Sequence, residues 1–306
     1  MRISQLTLVT ELVGPWSFSK LSFLSDYLTA FSEASSKVKG KVSYLDLFAG
    51  TGRVENKNSG EERDGSPVIA ARLFPNINHL VLCDIDEVNI ASVNQRAASL
   101  VSPKYFETIL GDSNDHVSKI LANVPEVYGA AFAFLDPHKH NLKWSTVKVI
   151  ADHKRKARYK IELFILFPFH MAINRVLGSR RTLNSKWPDQ ESVVDSVMPD
   201  DWRWKALLDQ QDNGEITREQ FRHRFVFLYW QGLRELGYSY VPNPKLITTP
   251  KGLPLYTLIF ASDHSAGNRI MEHVLHKQIR FEETMPMPLM SEPWNFSDTP
   301  DWYTEL

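Results

Sequence analysis

The sequence predicts an α/β protein with a doubly wound, mostly parallel sheet of seven strands. Five short apolar runs alternate with helical patterns over the first half of the chain, which is typical of a sheet covered by helices on both faces. The fifth run, ELFILFPF, is apolar at every position after its first residue, as a central parallel strand should be. Two further strand-like runs in the second half bring the predicted number of strands to seven.

The first five strands alternate with helices in a regular order. The segment WSFSKLSFLSDYLTAFSEASSKV places apolar residues on one helical face, and VSYLDLFAG then leads into a glycine turn and a long polar loop. SPVIAARLF is predicted as a short helix, with Ser66 as N-cap and Pro67 at the first helical position. The next strands are HLVLCDID, YFETILGDS, AAFAFLDPH and ELFILFPF, and a helix is predicted after each of the first three.

After the fifth strand the pattern changes. Residues 179–219 are polar, contain tryptophans and lack the period of a strand, which predicts a helical insertion or cap. The helix QFRHRFVFLYWQGLRELGY, a broken strand and the strand LPLYTLIFAS then continue the sheet, and a last helix begins at about residue 267. We therefore expect an α/β domain of residues 1–178 and 220–280, the helical insertion, and an extended C-terminal tail of residues 281–306.

Composition limits the possible functions. The 306 residues carry a formal net charge of -1, with 43% hydrophobic and 23% charged residues, so there is no global basic field for nucleic acid. The single cysteine, Cys83, excludes an internal disulfide and a multi-cysteine metal cluster, and we expect no bound metal. Because the sequence has neither a signal peptide nor a long apolar span, we expect a cytoplasmic protein without membrane contact.

The turn DLFAGTG after the first strand could hold one of three ligands. A phosphate-binding P-loop needs Lys-Ser/Thr after its second glycine, where this chain has Arg53-Val54. A nicotinamide site needs a third glycine, where this chain has Glu55, and an acid closer to the turn. S-adenosylmethionine (SAM) has no phosphate and carries an ammonium and a sulfonium, so an acid beside a bare glycine turn favours it.

Carboxylates end four successive strands, and carboxyl ends of parallel strands are where open α/β sheets bind ligands. We expect Asp84, with Asp86 close behind it, to accept both ribose hydroxyls, although one of these two aspartates could be a solvated turn residue. Asp112 is expected to reach the adenine amino group. Asp136 and Pro137 are expected beside the transferable methyl group. The full set predicted to bind SAM is Asp46, Phe48, Ala49, Gly50, Gly52, Asp84, Asp86 and Asp112.

Methyl transfer needs an aligned nucleophile and often a group that accepts its proton. FLDPHKH keeps the acid and one proline of the Asp/Asn-Pro-Pro-aromatic motif of enzymes that methylate amino groups of nucleic acids, but lacks the second proline and the aromatic residue. His138 is a candidate base or stacking partner, and His170 at the neighbouring strand end is a second; each could instead be structural. Arg175 is expected at the same rim, facing either a phosphate or a carboxylate.

The order of these motifs resembles that of the three-Cys-motif partner proteins, a methyltransferase-like group. The similarity extends from about Trp16 to Val274 and rests on YLDLFAGTG, DGSPVIAARL, CDID, FLDPH, ELFILFPFHMAINR and LYTLIFASDHSAGNRIM. It implies a class I methyltransferase fold and association with a second, radical-SAM-like protein that bears a three-cysteine motif. Where relatives often have Phe-Gly after Asp-Pro, this chain has His138-Lys139-His140. We therefore expect any pocket for a flat base to differ from that of the relatives at this position.

Three functional hypotheses follow. The first is a SAM-dependent methyltransferase that acts on nucleic acid or a nucleotide-like substrate. The alternative is a non-catalytic subunit with the SAM-binding fold, which serves the three-Cys-motif partner. A nicotinamide-dependent oxidoreductase is a distant third, since the glycine pattern supplies two of three glycines.

Overall fold

The computed structural model describes residues 8–153, 159–178, 187–199, 202–249, 253–283 and Tyr303. Ten strands form in this part of the chain. They are β1 (Glu11–Val13), β2 (Val42–Asp46), β3 (Arg53–Asn56), β4 (Glu62–Asp64), β5 (His79–Asp84), β6 (Phe106–Leu110), β7 (Ala130–Leu135), β8 (Glu162–Phe167), β9 (Lys245–Thr248) and β10 (Pro254–Ala261).

Seven of these strands form the central sheet, in the order β6-β5-β2-β7-β8-β10-β9. The first five in this order are parallel, and β10 runs antiparallel to both β8 and β9. The predicted fold class, a doubly wound and mostly parallel sheet of seven strands, is therefore confirmed. The strand order reverses beside β2, so a crevice opens at the carboxyl ends of β2, β5 and β7.

Helices connect the strands and cover both faces of the sheet. They are α1 (Trp16–Ser35), α2 (Ser66–Ala71), α3 (Glu87–Ala98), α4 (Ser113–Leu121), α5 (Trp144–His153), α6 (Asn174–Gly178), α7 (Trp187–Val197), α8 (Arg203–Asp212), α9 (Arg218–Glu235) and α10 (Ser265–Glu283), with a π turn at Phe169–Ile173. Among the described residues, no helix combines the length and the apolar character needed to cross a lipid bilayer.

Two hydrophobic cores lie on opposite faces of the sheet. Along β7, Ala131, Ala133 and Leu135 belong to one core, whereas Phe132 and Phe134 belong to the other. The first core also contains residues of α4, α5, α7, α8 and α9, and the second contains residues of α1, α2, α3 and α10. Side chains of a strand point alternately to the two faces, so strands that are apolar throughout are buried on both sides.

A second sheet of three strands includes β3 and β4, which lie where the sequence predicts a long polar loop. In it, β1 pairs parallel with β3, and β3 pairs antiparallel with β4. Val54 of β3 packs on Phe18 and Leu21 of α1. The loop prediction is wrong for β3 and β4, because these strands are short and partly exposed and because β3 gains its second partner, β1, from a segment about forty residues earlier in the chain.

Element boundaries differ from the predictions at two places. The N-cap of α2 is Gly65 rather than Ser66, so the N-cap residue supplies no side-chain hydrogen bond to this helix. In the predicted insertion, 179–219, the structure contains α7 and α8, while residues 179–186 and 200–201 lie outside the described part. Helix α10 continues to Glu283, into the predicted extended tail, and the rest of that tail except Tyr303 lies outside the described residues.

A buried carboxyl group stands at the start of β8. Glu162 accepts hydrogen bonds from the Tyr27 hydroxyl at 2.5 Å and from the Ser262 hydroxyl at 2.8 Å. Burial raises the pKa of Glu162 to about 7, while the two hydrogen bonds act in the opposite direction. The folded protein therefore retains a proton on Glu162 at pH values at which the unfolded chain has released it.

We expect Glu162→Gln to gain stability relative to the wild-type protein as the pH rises from 4.5 to about 7. Over this range the folded wild-type protein binds more protons than the unfolded chain, so its free energy of unfolding falls, whereas glutamine does not ionise. Other titrating groups, such as Asp46 and His79, cancel in the difference. Urea unfolding of both proteins at several pH values measures it; a difference independent of pH would contradict the expectation.

Candidate functional site

A cavity of about 650 Å³ opens at the carboxyl ends of the parallel strands. Its lining includes residues that directly follow five strands, and residues of β1 and α1 form the opposite wall. Of the residues predicted to bind SAM or the methyl acceptor, those lining the cavity are Phe48, Ala49, Gly50, Gly52, Asp84, Asp86, Asp112, Asp136, Pro137 and His138. The fold thus brings together residues from positions 48 to 138, while Asp46 and His170 lie outside the lining.

The turn after β2 is built from close backbone contacts. Gly50 and Gly52 have φ values of 58° and 78°, in the left-handed region that favours glycine. Gly65 donates a backbone hydrogen bond to the Gly52 carbonyl at 2.9 Å, and a β-carbon on Gly65 would lie 2.9 Å from the Gly52 carbonyl carbon. Position 65 therefore needs glycine, because the backbone at Gly65 touches the backbone at Gly52.

Asp46 supports this turn from behind. It is fully buried and accepts hydrogen bonds from the Tyr44 hydroxyl at 2.8 Å, from the Phe48 backbone N–H at 3.2 Å and from Ser66. Burial raises the pKa of Asp46 to about 7, and these hydrogen bonds oppose that shift. The Asp46 carboxyl group therefore holds the turn, and Asp46, which was predicted to bind the cofactor, is not among the residues that line the cavity.

Asp84, at the end of β5, holds the turn from the cavity side. One carboxylate oxygen accepts from the Gly50 N–H at 2.8 Å, and the other accepts from the Asp86 N–H at 2.9 Å and the Asn89 side chain at 3.1 Å. A carboxylate offers about four acceptor positions, so these three bonds leave roughly one for a ligand.

Asp86 and Asp112 are both helix N-caps at the cavity wall. Asp86 accepts from the Val88 and Asn89 N–H groups at the start of α3, at 2.7 and 3.1 Å. Asp112 accepts from the backbone and side-chain nitrogens of Asn114 at the start of α4, both at 2.8 Å. Of the pair after β5, Asp86 is thus the exposed turn residue, and Ile85 between the two aspartates is 70% exposed.

Asp136, after β7, forms an ion pair with Lys20 of α1 inside the cavity. Both side chains are about one-fifth exposed, at 21% and 19%. The following segment turns sharply, because Lys139 has a φ of 61°. Asn114 fixes this segment by donating to the Asn141 carbonyl at 2.6 Å, so His138 and Lys139 are held exposed at the cavity rim.

The two candidate bases lie in different environments. His138 lines the cavity. His170 lies in the π turn after β8, where its ring packs edge-on against Phe169 with 5.0 Å between centroids. Burial and the nearby Arg222 lower the pKa of His170 to about 4. His170, which was predicted beside the methyl group, is not among the residues that line the cavity.

Several lining residues could not be recognised from the sequence. Glu11, Trp16 and Lys20 come from the N-terminal segment, which carries no motif that points to a ligand. Arg175, predicted at the same rim, does line the cavity and is exposed. Within the described ranges, no group of three or more metal-binding side chains is close enough to hold a metal ion.

Comparisons with known proteins concern the fold. No protein-family model and no curated protein matches the chain. Protein LPL1258 from Legionella pneumophila aligns with a TM-score of 0.51 and 11% identity, over 90% of this chain and 97% of that one. This similarity concerns the fold alone, a doubly wound and mostly parallel sheet of seven strands covered by helices.

Two solved methyltransferases align less closely. The O-methyltransferase from Bacillus cereus, in complex with S-adenosylhomocysteine (SAH), has a TM-score of 0.42 and 14% identity over 83% of this chain and 84% of that one. TomG from Streptomyces achromogenes, in complex with SAM, has a TM-score of 0.40 and 14% identity over 80% of each chain. At these identities the similarity shows neither cofactor nor substrate for this chain.

Proposed function

We propose that the protein binds SAM in the cavity and transfers its methyl group to a substrate. The observation that carries this proposal is the junction of Asp84 with the glycine turn: its carboxylate orders Gly50 and keeps roughly one acceptor position toward the cavity. Such an acceptor suits a ribose hydroxyl. The backbone of Gly50, which lines the cavity without a side chain, allows the methionine part of the cofactor to approach closely.

The adenine ring would lie between the loops after β5 and β6. Ile85 supports this placement, because an apolar side chain that is 70% exposed beside a cavity can cover one face of a flat base. Asp112 lies on the wall formed after β6, where its carboxylate can accept from the adenine amino group. The transferable methyl group would then point toward Asp136 and Pro137.

For the substrate, we propose a nucleic acid or a nucleotide-like molecule. Lys139 and Arg175 are exposed at the rim on the side of Asp136, where they can pair with phosphate, and His138 is exposed beside them. Asp136 would orient the acceptor group toward the methyl group and take up its proton. Both cations lie away from Asp84 and Asp112, which surround the proposed nucleoside site.

Calorimetry with SAH, SAM and NAD tests the cofactor. We expect the purified protein to bind SAH and SAM and not NAD, because a glycine turn without a third glycine is a poor pyrophosphate site. Mass spectrometry of small molecules that copurify with the protein provides an independent readout. Failure of SAM and SAH to bind at millimolar concentration would exclude the proposal. Labelled methyl transfer to tRNA, rRNA and DNA then identifies the substrate class.

A non-catalytic subunit is the second candidate. The ion pair between Lys20 and Asp136 favours it, because the ammonium occupies the carboxylate that would otherwise hold the methyl acceptor. In this case the chain would hold SAM for a three-Cys-motif, radical-SAM-like partner. Methylation by the isolated chain, lost in Asp136→Asn, would exclude this candidate.

A further inference from the structure

The amino group of the cofactor's methionine part needs an acidic partner in this cavity. From sequence, Asp46 is the expected acid, because it ends the first strand of the parallel sheet and precedes the glycine turn. In the structure Asp46 is fully buried, accepts three hydrogen bonds from the protein and does not line the cavity. Another carboxylate must therefore face an ammonium bound beside the turn.

Glu11 lies directly over the glycine turn. One of its carboxylate oxygens is 3.2 Å from the point that a β-carbon on Gly50 would occupy, and Glu11 lines the cavity. The small sheet produces this position: β3 begins at Arg53, immediately after the turn, and β1 pairs with it so that Glu11 stands opposite Val54.

A second contact anchors the N-terminal segment to the turn. The Arg96 guanidinium of α3 donates to the Val9 carbonyl at 2.8 Å and to the Thr51 carbonyl at 2.6 Å. The backbone N–H of Val9 also donates to the Ser92 hydroxyl at 3.3 Å. Because Thr51 lies between the two glycines, one side chain holds both the turn and the segment that carries Glu11.

We propose that the Glu11 carboxylate binds the amino group of the cofactor's methionine part. This inference rests on the proposed function, and it assigns to β1 a role that the sequence pattern predicts for Asp46. A charge-assisted hydrogen bond between a carboxylate and an ammonium is among the stronger polar contacts in proteins. The methionine part would lie in the cavity beside Gly50 and Glu11, so the three-stranded sheet forms one wall of the cofactor site.

The charges around Glu11 agree with a cationic ligand. The groups that face it are Lys20 of α1, Asp84 after β5, and Asp136 and His138 after β7. Although Glu11 as a residue is exposed, partial removal of its carboxylate from solvent raises its pKa; Lys20 and His138 oppose that shift, and the two aspartates add to it. Lys20 is itself paired with Asp136. An ammonium beside Glu11 would therefore relieve the repulsion among three carboxylates that share one lysine.

Glu11→Gln, measured by calorimetry with two nucleosides, tests the inference. SAH carries the amino group, and 5′-deoxy-5′-methylthioadenosine has the same nucleoside and sulfur without the amino-acid part. We expect Glu11→Gln to bind SAH about 10- to 100-fold more weakly than the wild-type protein and to bind methylthioadenosine equally well. Glu55→Gln is the matched control, because Glu55 lies in the neighbouring strand β3, outside the cavity lining.

The outcomes separate this inference from the proposed function. If the wild-type protein binds neither nucleoside, the proposed function fails and the inference with it. If the wild-type protein binds both, and Glu11→Gln retains full affinity for SAH, only the role of Glu11 is overturned. Equal weakening toward both nucleosides would also overturn it, because Glu11 would then support the site without contacting the amino group. Thermal unfolding of the variants verifies that they remain folded.

Discussion

Asp84→Ala is expected to weaken SAH binding by about 100-fold or more. The substitution removes the proposed contact with the ribose and also frees the Gly50 N–H, the Asp86 N–H and the Asn89 side chain from their common acceptor. The glycine turn would then lose the bond that holds it against β5. Calorimetry with SAH measures the affinity, and circular dichroism verifies the fold.

Asp86→Ala is the matched control for this prediction, since it removes a carboxylate only two residues away. Asp86 caps α3, so its loss should lower the free energy of unfolding by about 1 kcal/mol. Its effect on SAH affinity should remain below about tenfold, because the carboxylate is engaged with the helix. Equal losses of affinity in the two variants would contradict the distinction between them.

Asp136→Asn is expected to slow methyl transfer by about 10²- to 10⁴-fold while leaving SAH affinity nearly unchanged. An amide cannot take up a proton from the acceptor group, and Asp136 lies on the wall opposite the proposed nucleoside site. Single-turnover transfer of a labelled methyl group to the nucleic-acid fraction that the wild-type protein methylates measures the chemical step separately from binding.

Lys20→Met distinguishes a catalytic role of Asp136 from a purely structural one. It removes the same ion pair as Asp136→Asn but keeps the carboxylate. If Asp136 acts on the methyl acceptor, Lys20→Met should retain far more transfer than Asp136→Asn. If the two residues only stabilise the fold through their ion pair, both variants should lose similar stability and similar activity, which would contradict the catalytic role.

The central sheet could be predicted because its signals are local. Strand β8 is apolar at nearly every position, and the helices between strands have apolar residues on one face. The small sheet could not be predicted in the same way. Its strands are short and partly exposed, and β1 forms a strand by pairing with β3, which is distant in the sequence. Pairing between distant polar segments has no periodic signature in either segment.

The same distinction separates the site residues. Asp84, Asp112 and Asp136 were predicted to lie together, because the carboxyl ends of parallel strands meet at one edge. Asp46 was predicted at that edge too, but the direction of its side chain depends on Tyr44 and Ser66, which surround it with hydrogen-bond donors. Sequence patterns locate a residue on a strand end more readily than they orient its side chain.

The sequence by itself determined the α/β fold and the strand ends at which a cavity forms. Only the tertiary structure decided which acids face that cavity. The Asp46 side chain is buried in the core, whereas Glu11, from the N-terminal segment, lies beside Gly50. It also placed Lys20 against Asp136. The physical reason is that backbone patterning follows from neighbouring residues, whereas the surroundings of a carboxylate depend on side chains brought from elsewhere in the chain.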